Sequence, residues 1–117
     1  MTRQAFEQYI AEYYGVCADY PWEGDSETAV FRHPHNKKWF ALAMTLSPCL
    51  LGEEGDTMDV VNLKCDPIMV GALCGDDGIY PAYHMNKTHW ITVALNERVE
   101  DDKLLWLLAQ SAELTAK

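Results

Sequence analysis

Basic residues are scarce in this sequence: nine Lys and Arg stand against eighteen Asp and Glu, for a formal charge of −9. Phosphate backbones are bound through Lys and Arg, so a chain this acidic meets DNA with an unfavourable long-range field. Paired cysteines are missing too. Cys17, Cys49, Cys65 and Cys74 are scattered without a Cys-x-x-Cys among them, which excludes a zinc ribbon and a dithiol redox motif. They read as reduced thiols, mostly buried in the core. No apolar run approaches the length of a membrane-spanning helix, and MTRQAFEQYI at the start lacks the hydrophobic region of a signal peptide. The expectation is a soluble cytoplasmic protein with no membrane partner. Repeats and low-complexity segments are absent, which excludes a solenoid.

What is present is enough apolar side chain for a core. With 117 residues, 49% of them hydrophobic and 23% charged, the chain reads as one globular domain over 1–117. Acidic residues gather at Glu23 to Glu27, Glu53 to Asp59, Asp76 to Asp77 and Glu97 to Asp102. None has the spacing of an EF-hand loop, so they read as solvated loops and helix N-termini. All four histidines lie in two basic islands. One is RHPHNKK, carrying Arg32, His33, His35, Lys37 and Lys38; the other is HMNKTH, carrying His84, Asn86, Lys87 and His89.

Periodicity orders the elements. Phe6, Ile10 and Tyr13 recur at helical spacing, Thr2 can cap the start and Gly15 can stop it. A polar connector from Asp19 to Ser26 follows, with Trp22 as the apolar anchor expected to pin it to the core. Thr28 to His33 and Lys38 to Thr45 predict a hairpin whose tip, Pro34 to Lys37, is basic. Ser47 to Thr57 reads as a loop and Met58 to Lys64 as a third strand. Asp66 and Pro67 form an N-cap and N1 pair for a short helix whose apolar face is Ile68, Met69, Ala72 and Leu73. Gly78 to Met85 and Trp90 to Leu95 predict a second hairpin. A terminal helix runs on from the acidic Glu100 to Asp102, with carboxylates at the positive end of its dipole. The order α-β(3)-α-β(2)-α implies a two-layer α+β domain with a largely antiparallel sheet.

The densest chemistry sits at the second tip. A turn at Asn86-Lys87 would place His84 opposite His89, with Cβ atoms about 4.5 to 5.5 Å apart. Such a pair can share a proton, hold an anion when charged, or offer two metal ligands. Three readings remain open: structural histidines hydrogen-bonded and packed on Trp90 and Tyr83, an anion or nucleic-acid contact surface, and a metal or catalytic site. The third lacks a further ligand, and no Cys-His or Ser-His-Asp order accompanies it. Trp39 and Trp90 read as core anchors rather than base-stacking platforms.

The run HMNKTHWITVAL resembles the signature segment of the MmcQ/YjbR family of small bacterial proteins. The likeness extends to Lys38-x-Phe40 and LKCDPIMVGAL and covers nearly the whole chain. Family members often carry an aromatic after the serine where this chain has Ser111-Ala112. What the resemblance implies is a fold akin to frataxin-like and secretion-chaperone-like domains, and DNA binding by a double-wing arrangement. The two tips would be the wings, with Arg32, His35, Lys37, Lys38, His84, Asn86, Lys87, His89 and Trp90 as contact candidates. The expectation is a non-enzymatic binding protein without a cofactor, its leading partner DNA, held weakly. The rivals are a chaperone-like module for basic protein partners, which suits the acidic surface, and metal handling as in frataxin.

Overall fold

Thr2 opens the first helix as the sequence predicts: in the computed structural model, which describes residues 1–117, its hydroxyl accepts from the Ala5 amide at 3.1 Å. This helix, α1, spans Arg3–Tyr14 and stops at Gly15, whose φ of 67° suits a residue without Cβ. Phe6 and Ile10 are wholly buried beneath it. Tyr13, expected on the same stripe, is 70% exposed and stacks on Tyr9. The position four residues after Ile10 is the one that points inward, so Tyr14 packs on Phe40 instead.

The remaining elements are β1 (Ala29–Arg32), β2 (Trp39–Leu46), β3 (Met58–Lys64), α2 (Pro67–Leu73), β4 (Ile79–Pro81), β5 (Trp90–Ala94) and α3 (Asp101–Leu114). They follow the predicted order. A 3-10 turn at Pro48–Leu51 lies within the stretch read as loop. The five strands form one antiparallel sheet in the order β1-β2-β3-β5-β4. Asp19 extends its outer edge by exchanging two backbone hydrogen bonds with Val30, at 2.8 and 2.9 Å. At the opposite edge β4 ends on Pro81, which cannot donate to a further strand.

Both faces of the sheet are apolar, and they are covered differently. Ala41, Ala43, Val61, Leu63, Ile91 and Val93 lie in one cluster with Phe6 and Ile10 of α1 and with Leu104, Leu107 and Leu108 of α3. Each large aliphatic side chain buried there contributes about 1.5–3 kcal/mol relative to exposure. The alternate residues Val30, Leu42, Met44, Val60, Trp90 and Ala94 form a second cluster that contains no residue of any helix. Side chains from connecting segments, Leu51, Tyr83 and Met85, pack against it instead.

Two further expectations change. Of the face assigned to α2, only Leu73 is buried, and Ile68 is 89% exposed; a seven-residue helix capped by Asp66 and Pro67 presents too little length to cover the sheet with both turns. Among the thiols only Cys65 is buried, while Cys17 and Cys49 are exposed because they fall in connectors rather than on core-facing positions.

Candidate functional site

Antiparallel pairing brings the two hairpin tips to the same end of the sheet. Ala41 pairs with Leu63 and Lys64 with Trp90, so residues 33–38, the end of β3 and residues 82–89 all lie there. The tips are separated by about three strand spacings of roughly 4.8 Å. Each is braced by an asparagine: Asn36 Oδ1 accepts from the Lys38 amide and Asn86 Oδ1 from the Thr88 amide.

The first tip is engaged by the chain itself. His33 Nε2 lies 2.8 Å from Thr115 Oγ1, His35 Nε2 lies 2.6 Å from the Ala116 carbonyl, and Asn36 Nδ2 donates to the Thr115 carbonyl at 2.9 Å. Lys38 Nζ donates to the Lys117 carbonyl. Arg32 pairs with Asp19 at 2.6 Å and lies 5.9 Å from the Trp39 ring centre. Of this island's cations, only Lys37 has a side chain with neither a hydrogen bond nor an ion pair, and it sits in the left-handed region at φ 63°.

The second tip departs from the predicted geometry. β4 ends at Pro81 and β5 begins at Trp90, so the connection runs from 82 to 89 rather than through a two-residue turn. Side chains end the ladder. The Tyr83 amide donates to Thr92 Oγ1 and its carbonyl accepts from Asn62 Nδ2, each at 2.9 Å. With both main-chain groups of Tyr83 satisfied this way, the β4–β5 pairing cannot continue, and His84 turns the chain aside at φ 57°. His84 and His89 therefore sit on one connection and not opposite each other on two strands. The cross-strand pairing on which a shared proton or metal depended is absent. Lys87 and His89 are exposed, whereas Trp90 is buried with Lys64 Nζ 5.6 Å from its ring centre. Trp90 thus supports the tip rather than offering a free face.

Tyr83, His84 and Met85 also line a groove that the sequence did not reveal. It is an open hollow of about 590 Å³ on the helix-free face of the sheet. Its floor is Leu42 and Met44 of β2 with Asn62 of β3, and its far wall is Trp22 with Asp25. Trp22, 41% exposed, meets Trp39 edge-on at 5.5 Å and 76°, so it anchors the connector to this face and not to the helix-covered core. His84 packs edge-on against Tyr83 at 4.0 Å. Asp25 Oδ1 accepts from the Glu27 and Thr28 amides at 2.8 and 3.0 Å, and those bonds hold its carboxyl below the usual carboxylate range. A left-handed histidine, a satisfied buried asparagine and two tryptophans thus converge on one concavity. Strain of that kind collects at binding sites.

A two-layer antiparallel domain with helices on one face and an aromatic groove on the other is the class the fold defines. The chain belongs to the YjbR family, whose model matches residues 11–114. It is 39% identical over 116 residues to the uncharacterized protein YyaQ of Bacillus subtilis, covering 98% of each chain. A crystal structure of a Pseudomonas syringae protein, 46% identical, superposes with a TM-score of 0.96 and coverage of 98% and 99%. Protein DR2400 of Deinococcus radiodurans, described as a DUF419 domain, is 28% identical with a TM-score of 0.75 over 99% of this chain and 79% of that one.

Proposed function

We propose that this chain is a non-enzymatic binding protein that holds a small ligand in the groove between the sheet and the Trp22 connector. The observation that carries this reading is the groove itself: about 590 Å³, apolar over most of its lining, with a few fixed polar groups. Those are the dimensions and composition of small-molecule sites. The Asn62, Thr92 and Tyr83 hydrogen bonds supply a rigid floor, so a ligand meets a shape already formed. The test is a fragment screen followed by ¹⁵N–¹H correlation spectra. Binders should shift the indole resonances of Trp22 and Trp39 and the side-chain amide of Asn62. Binders that cluster elsewhere, or none at all, would overturn the reading.

A second reading, weak contact with nucleic acid, is favoured by one observation. Both tips and Lys64 lie at one end of the sheet, and Lys87, Asn86, His84 and His89 are exposed there. The double-wing arrangement needs that placement. Against it stands the engagement of the first tip by residues 115–117 and by Asp19.

A further inference from the structure

Resting on the groove as the binding site, we infer that its ligand is an organic cation: an amine or quaternary ammonium group attached to an apolar or aromatic body. Trp22 and Trp39 meet edge to face at a corner of the groove, at 76° with centroids 5.5 Å apart, and both line it. Indole faces are the best aromatic partners for a cation. This face of the sheet already uses them so, since Arg32 lies 5.9 Å from the Trp39 centroid and Lys64 5.6 Å from that of Trp90.

Acidic side chains outnumber basic ones around the corner. Asp25 lines the groove, and the Glu27 and Thr28 amides that donate to its Oδ1 keep the carboxyl ionised beside any ligand there. Glu23 and Glu27 flank it on the connector. The cations nearby are already matched: Arg3 with Glu7 at 2.8 Å and Arg32 with Asp19 at 2.6 Å. A net charge of −9 on the whole chain adds an attractive field for a positive ligand and a repulsive one for an anion. The apolar floor of Leu42, Met44 and Met85 would receive the uncharged body.

Three probes separate charge from shape: benzyltrimethylammonium, benzyl alcohol and benzoate. Each is titrated into the ¹⁵N-labelled chain at low, matched ionic strength, following the Trp22 and Trp39 indole resonances. The cation should bind about five- to thirtyfold more tightly than the alcohol, as a partly desolvated cation–π contact and one carboxylate predict, with benzoate weakest. Asp25→Asn keeps the Oδ1 acceptor and so the connector turn, and should narrow the preference for the cation over the alcohol. Trp22→Leu should narrow it as well. Alcohol or benzoate binding in the groove as tightly as the cation would overturn this inference and leave the groove standing. No response from any of the three would overturn both.

Discussion

Thr92 donates its hydroxyl to Asn62 Oδ1 at 2.5 Å across the β3–β5 ladder, where the two residues are register partners and both wholly buried. Through Asn62 Nδ2 and Thr92 Oγ1 the pair holds the main chain of Tyr83, and so fixes where the tip at 82–89 begins. Asn62→Leu should cost about 1–3 kcal/mol, because it strands the Thr92 hydroxyl and the Tyr83 carbonyl without their partner. Urea unfolding reads the loss, and faster amide exchange across 83–89 should accompany it. Stability and exchange equal to the parent chain would remove the network from this role.

Gly78 makes a sharper test of backbone geometry. It sits at φ 84°, and a Cβ there would lie 2.9 Å from Val99 Cγ2 and 3.0 Å from Arg98 Cβ. Gly15 has a similar φ of 67° with nothing within 4 Å. Ala at Gly15 should therefore cost about 1 kcal/mol for the left-handed conformation alone, and Ala at Gly78 about 2–4 kcal/mol once the clash is added. Equal midpoint shifts in urea would refute the distinction.

Stability should fall with pH through the first tip. Burial holds His33 below the ordinary histidine range; the Ala112 carbonyl opposes this and the neighbouring His35 reinforces it. In the unfolded chain the imidazole takes its proton near pH 6.5, whereas the folded chain delays it to lower pH. Between those values the unfolded state binds more protons, so stability is full above about 6.5 and is lost as pH drops toward the folded-state value. His33→Gln should flatten that part of the curve in urea titrations at pH 5 to 7.5. An unchanged slope would exclude His33 as its source.

Duplex DNA offers a bounded expectation. Lys37 and Lys87 lack an internal partner among the island cations, and Lys64 lies between the tips. At about −0.9 per neutralised phosphate, log affinity against log salt should slope by no more than about two to three units. Anisotropy with a labelled duplex should show at most weak, salt-sensitive binding that Lys37→Ala with Lys87→Ala removes. A steeper slope, or nanomolar binding at physiological salt, would contradict the engaged state of the first tip.

The order of elements was legible because it rests on local periodicity and on end signals such as Thr2, Gly15 and Asp66-Pro67, each acting within one turn. The second tip was not, because its shape is decided by Asn62 and Thr92, which lie far from it in sequence. The bridging role of Ser111 was hidden for the same reason. Its hydroxyl donates to the Phe40 carbonyl at 2.5 Å and accepts from the Lys64 amide at 2.8 Å, and so joins α3 to the ends of β2 and β3. The groove likewise needs Trp22 folded back over β2. A continuous apolar reading of WFALAMTL, with no polar alternation, was the available signal that both sheet faces would be covered.

That same two-faced strand makes the chain vulnerable while it is being synthesised. WFALAMTL carries no charge and no proline over eight residues, which is the composition from which intermolecular cross-β stacks grow. In the finished molecule it lies between β1 and β3, with Asp19 occupying the outer side of β1 and Pro81 closing the far edge. Before β3 arrives at residues 58–64, about a dozen residues later, only the four-residue β1 can pair with its edges. Weakening β1 pairing should thus show itself as inclusion bodies during expression sooner than as a lower melting temperature of the protein that does fold.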